Sequence, residues 1–217
     1  MSQPLRFVLA FVTAALLAAC GSSPPAPDWQ MNAKGSLERA VDAYLSGKDR
    51  VAASEFAHAR AEVARTGRPD LLARTELIRC ASQVASLVLE PCAGFEALRT
   101  DAAPAERAYA DYLAGRVSPQ DAQRLPVPHR AIAAGALALP DGADPVARLV
   151  AAGVLFQMGR VNPAVVAQAV DTASAQGWRR PLLAWLGVQL KLAEQAEAAQ
   201  EVERIRRRIQ IVVQQKS

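Results

Sequence analysis

The sequence predicts an all-α fold of antiparallel helical hairpins, and three observations point to it. Apolar residues recur at helical spacing along most of the chain, while Val, Ile, Phe and Tyr nowhere alternate with polar residues over a strand-length window. Alanine is abundant and aromatic residues make up only 5% of the 217 residues, a composition suited to closely packed helices. Glycine and proline divide the chain into helix-length segments, and connections that short place successive helices antiparallel.

The first segment is not part of that fold. A short positive region ends at Arg6, and an apolar run follows from Phe7 to Leu17. As a helix this run measures about 16 Å, half the hydrocarbon thickness of a bilayer, so it is too short for a membrane span and reads as a secretory signal peptide. The residues that close it, Leu17-Ala18-Ala19-Cys20, resemble the lipobox of bacterial lipoproteins. The resemblance implies cleavage before Cys20, a diacylglycerol on the Cys20 thiol and an N-acyl chain such as palmitate on the new amino terminus. It also implies a Gram-negative envelope and, because Gly21 stands where an inner-membrane retention aspartate would, the periplasmic face of the outer membrane. Two acyl chains hold a protein far more firmly than a single myristoyl chain does. The chain therefore divides into a signal peptide (1–19), a lipidated cysteine with a Pro/Ser-rich tether (20–35) and an all-α domain (36–217). The tether, with Pro24, Pro25 and Pro27, reads as extended and keeps the domain near the lipid.

The domain itself opens at Ser36. Leu37, Ala40, Val41, Tyr44 and Leu45 form one apolar stripe of a helix that stops at Gly47. Ala52, Phe56, Ala59 and Val63 give the next, stopped by Gly67, and Pro69 opens a third that turns Leu77, Cys80, Ala81, Val84 and Val88 inward. A short helix follows around Phe95 to Arg99, a further one ends near Leu113, and residues 117–128 hold a short element inside a loop. Helices are then expected from Pro128 to Leu139, from Pro145 to Met158, and from Pro163 to Ala175 behind an Asn162 cap, with Gly177 as the last stop. From Pro181 onward no breaker appears, and the stripe Ala199, Val202, Ile205, Ile209, Val212 predicts one long helix, with a hairpin bending near Ala196 as the alternative.

A repeat lies within these helices. Six of eleven residues are identical between Glu38–Lys48 and Glu106–Arg116, both of which end in glycine and a cation, and Ala152, Phe156, Gly159 and Arg160 keep the same skeleton. The offset is 68 residues, twice the 34-residue unit of the tetratricopeptide family, which these segments resemble. The chain departs from that pattern at Tyr44, one residue nearer the glycine than the family's aromatic, and at Pro126 and Pro128. The resemblance implies a short, degenerate tetratricopeptide-like solenoid; a generic alanine-rich helical bundle is the alternative.

Few residues carry chemistry. Cys80 and Cys92 are either bridged or two separate buried thiols; an early helix end near Ser86 favours the bridge. His58 and His129 stand in different helices without acids at metal-ligand spacing, and no nucleophile elbow, phosphate loop or paired carboxylates accompany them, so neither catalysis nor a metal or soluble cofactor is expected. Tyr109, Tyr112, Trp178 and Trp185 are candidates to line a partner-binding groove, or else pack between hairpins. Arg204, Arg206, Arg207 and Arg208 are candidates for contact with anionic lipid or cell wall, or else form a solvated face balanced by Glu201 and Glu203. A net charge of +4 is too small to indicate nucleic acid. The expected role is a non-enzymatic, lipid-anchored scaffold that binds an envelope protein; the alternative is an accessory factor touching cell wall or anionic lipid through the basic C-terminal helix.

Overall fold

The computed structural model describes residues 26–116 and 118–214; the signal peptide, Cys20 with its expected lipid, and the first residues after it lie outside that range. The described residues form ten α-helices and one 3-10 segment and contain no strand. They are α1 (Asp28–Leu45), α2 (Asp49–Ala64), α3 (Pro69–Ala85), α4 (Ala93–Glu96), α5 (Pro104–Leu113), the 3-10 segment Pro119–Arg124, α6 (Val127–Ala133), α7 (Pro145–Gln157), α8 (Pro163–Ala175), α9 (Arg179–Gln195) and α10 (Ala199–Gln214). None of the described helices is long and apolar enough to cross a membrane.

Helix starts and stops follow local chemistry. Proline occupies the first turn of α3, α5, α7 and α8, where its missing N–H costs nothing. The Asn162 side chain accepts from the Val165 amide at 3.0 Å, and Asp144 caps α7 in the same way through Val146 and Ala147. Gly47 takes φ +83°, which lets the Lys48 amide reach back to the Ala43 carbonyl at 2.8 Å. Both full copies of the repeat end this way, since Gly115 and Arg116 reproduce the turn with a bond to Asp111. Ala40 and Leu45 of the first copy and Ala108 and Leu113 of the second are buried in corresponding positions.

Where the structure departs from the sequence reading, the cause is physical. α1 begins at Asp28 rather than Ser36, so half of the expected tether is helix. The prolines stop at Pro27, whose carbonyl accepts from Gln30 and Met31, and Trp29, Ala33 and Leu37 continue one four-residue ridge. α6 ends at Ala133, short of Leu139. Gly135 turns to φ +111°, while Arg160 and Asn162 donate to the Gly135 and Leu137 carbonyls at 2.6 and 3.2 Å and hold the segment off helix. The long C-terminal helix is instead the hairpin α9–α10. Glu197 adopts φ +53° and makes the glycine turn without a glycine, the Ala198 amide bonding the Ala193 carbonyl at 3.0 Å. Leu87, at φ +58°, ends α3 by the same device before Val88 can join it.

Helices α1 and α2 pack against each other, as do the successive pairs of α7, α8, α9 and α10, whereas α5 is followed by the 3-10 segment and α6, not by a helix of its own length. α3 is central: it packs against α1, α2, α4, α5 and α7. Its crossing with α7 is close because Gly153 presents no side chain to the Val84 backbone; a Cβ there would overlap the Val84 carbonyl oxygen and lie 2.9 Å from Val84 Cγ1. At the end of α3, the buried Trp185 indole donates to the Ala85 carbonyl at 3.1 Å and meets Phe156 edge-on, rings 6.1 Å apart. The turn before α9 returns to the first hairpin, where Trp178 donates to Asp42 at 3.1 Å and Arg180 lies 4.3 Å over the Tyr44 ring while bonding the Tyr44 carbonyl and Asp49.

Candidate functional site

Between α1 and α3 runs an open groove with a volume of about 740 Å³. Its first wall is the ridge Trp29, Ala33, Leu37, Val41, one residue per turn along nearly the whole of α1. Leu71 and Ile78 form the facing wall on α3, and Val146 and Trp178 close the far end. Leu37, Val41, Leu71, Ile78 and Trp29 are only half-buried although α1 and α3 have neighbours on their other faces. The ridge is therefore a second apolar face of α1, in addition to the Ala40, Ala43 and Leu45 face that the core covers. A smaller recess of about 540 Å³ adjoins it, shares Arg74 and Ile78, and continues over Leu77, Tyr109 and Leu125.

Charges line the edges and differ in sign. On the α1 side stand Glu38 and Asp42; Lys34 is 3.9 Å from Glu38, and Asp42 receives the Trp178 indole. On the α3 side stand Arg68 and Arg74, each 2.6 Å from a carboxylate, Asp70 and Glu106 respectively. The Arg68 bond holds the Asp70 carboxyl below its usual range. Both guanidiniums remain more than half exposed and keep N–H donors to spare.

Of the four aromatic candidates, two border a recess, Trp178 although it is only 9% exposed. Trp178 lines the groove and Tyr109 the smaller recess. Tyr112 and Trp185 are fully buried and cannot touch a partner; they pack between helices, Tyr112 against His129 with rings 5.0 Å apart. His129 sits in the core between Tyr109 and Tyr112, and its Nδ1 has no partner among the described residues. Burial pushes its pKa down to about 4 and the two tyrosine hydroxyls upward. A neutral imidazole keeps one N–H and one acceptor nitrogen, and here the ring packs between the two tyrosines. His58 is bonded across from α2 to α1, with Nδ1 2.9 Å from the Ser36 hydroxyl. No group of three His, Cys, Asp or Glu among the described residues is placed to hold a metal ion.

Cys80 and Cys92 are bonded to each other, with Cα atoms 5.9 Å apart. α3 ends at Ala85, which gives the chain room to return. In the basic cluster, Arg204 pairs with Glu201, and Arg206 with Glu203 and Glu194, which leaves Arg207 and Arg208 without an ion-pair partner among the described residues. The groove itself has no sequence signature. Trp29 follows the prolines closely enough to read as tether, and the Leu37–Val41 stripe reads the same whether a helix or an empty channel faces it. No protein-family model, curated protein or solved structure matches the chain.

Proposed function

We propose that this chain is a non-catalytic, lipid-anchored scaffold, a tetratricopeptide-like stack of helical hairpins at the periplasmic face of the outer membrane, and that it holds a protein partner in the α1/α3 groove. One observation carries the reading: an open apolar channel of about 740 Å³ bounded by charged residues, with half-buried Leu37, Val41, Leu71 and Ile78 as its walls. Apolar surface of this kind costs free energy in water and is found where a ligand or partner covers it. The lipobox-like Leu17–Cys20 supports the anchor, Gly21 supports the outer membrane, and the Cys80–Cys92 bond is at home in an oxidising compartment. Contact through the basic helix α10 is the second reading: Arg204 and Arg206 are paired with three glutamates, which leaves Arg207 and Arg208 to meet an anionic surface.

The test is co-purification from crosslinked, solubilised envelopes, with intact-mass measurement of the exported chain for the acyl groups on Cys20. Leu37→Glu is expected to lose the captured partner and Arg207→Glu to retain it. Retention by Leu37→Glu with loss by Arg207→Glu would reverse the assignment, and an unacylated Cys20 would remove the anchor.

A further inference from the structure

Resting on the partner-binding reading of the groove, we infer that its occupant is an amphipathic α-helix with basic residues along one margin of its apolar stripe and acidic residues along the other. Shape is the first reason. The groove is lined by successive turns of α1 and of α3, and the α1 ridge from Trp29 to Val41 covers about 18 Å, the length of roughly three helical turns. Its ridge residues are spaced four apart, and Ala33 is a small step between Trp29 and Leu37, so a third helix can seat its own ridge there. An extended strand has no such match: its backbone N–H and C=O groups would face apolar walls with no sheet edge to pair with.

Charge is the second reason. Lys34, Glu38 and Asp42, one turn apart in succession, border the α1 side with a net negative charge, and Arg68 and Arg74, each paired with a carboxylate, border the α3 side. Glu38 is held only by an exposed lysine at 3.9 Å, and the arginines use part of their N–H donors on Asp70 and Glu106. An occupant of a single charge sign meets repulsion along one wall or the other, whereas a helix with one basic and one acidic margin meets complement on both.

The probe is a synthetic amphipathic peptide of about 16 residues, with leucines along one stripe, lysines on one margin and glutamates on the other. Binding is read from intrinsic fluorescence, since Trp29 and Trp178 line the groove and Trp185 is buried. The mixed-margin peptide is expected to bind several-fold more tightly than versions carrying lysine on both margins or glutamate on both. Leu37→Glu is expected to weaken it about tenfold or more, a change of about 1.4 kcal/mol, and Arg68→Glu to erase the preference over the all-lysine peptide. Ile78→Glu, on the opposite wall, repeats the test if Leu37→Glu does not fold. Equal binding of all three peptides, or of a scrambled non-helical peptide, overturns the inference. So does binding of palmitate in their place. If no peptide binds while Leu37→Glu still abolishes co-purification, the helix is wrong and the groove reading stands; if Leu37→Glu leaves co-purification intact, the groove reading itself fails.

Discussion

Acid should unfold this protein earlier than its ion pairs alone require, and His129 is the reason. The imidazole is 4% exposed, lies 5.0 and 5.5 Å from the Tyr112 and Tyr109 rings, and has its pKa depressed from 6.5 to about 4 by burial. In the unfolded chain the same group titrates near its ordinary value. Its contribution to stability is therefore complete above pH 6.5 and is lost progressively as pH falls toward 4, because over that window the unfolded chain binds a proton that the folded one refuses. A tenfold difference in proton affinity between the two states corresponds to about 1.36 kcal/mol, so roughly 2 kcal/mol is lost by pH 5 and about 3 kcal/mol by pH 4. For a chain of this size, 2 kcal/mol corresponds to a fall in Tm of about 4–8 °C. The assay is thermal unfolding from pH 7.5 to 4.5 of the natural chain and of His129→Phe, which keeps an aromatic ring between the tyrosines and removes the titration. The carboxylates contribute equally to both, so the difference between the two curves isolates the imidazole. Parallel curves would refute the reasoning.

Other perturbations separate the helix crossing, the disulfide and the turn. Gly153→Ala places a Cβ against the Val84 carbonyl where α7 crosses α3 and is expected to cost about 2 kcal/mol or more, while Gly187→Ala, with open space around it in α9, is expected to stabilise by about 0.5–1 kcal/mol; urea melts of the two should move in opposite directions. Opening the Cys80–Cys92 bond, which closes a loop of sequence separation 12, is expected to lower stability by about 3 kcal/mol, seen as a Tm drop on adding reductant that is absent in a Cys80→Ala/Cys92→Ala double variant. Glu197→Gly relieves an exposed left-handed residue in the α9–α10 turn and should raise stability by about 1 kcal/mol, measured by the same melts.

The fold is legible in the sequence where proline, asparagine or glycine marks a boundary. Pro69, Pro145 and Pro163 open helices, and Gly47, Gly67, Gly115, Gly159 and Gly177 close them with positive φ. It is illegible where tertiary packing makes an ordinary residue do a glycine's work. Glu197 and Leu87 carry no sequence signal for φ > 0, so the helical pattern runs on through the end of α9 and past that of α3. The start of α1 is hidden for another reason: the prolines before Asp28 lend their loop character to the helix that follows. The candidate site is legible in its residue types and not in their placement. An aromatic at helical spacing has no mark to say whether it lies between helices, as Trp185 does, or at the edge of a channel, as Trp178 does. Leu37 and Val41 belong to the same stripe as Ala40 and Leu45, and only the path of α3 decides which of them the core covers.

The groove is tested most directly by where partner contacts map on the surface of the chain. A photo-crosslinking amino acid placed in turn at Leu37, at Ile78 and at the exposed Gln200 of α10, in cells carrying the full-length protein, reads this in a single gel. The expected result is one common adduct from positions 37 and 78 and none from 200. An adduct from 200 with none from the two groove walls would contradict the account.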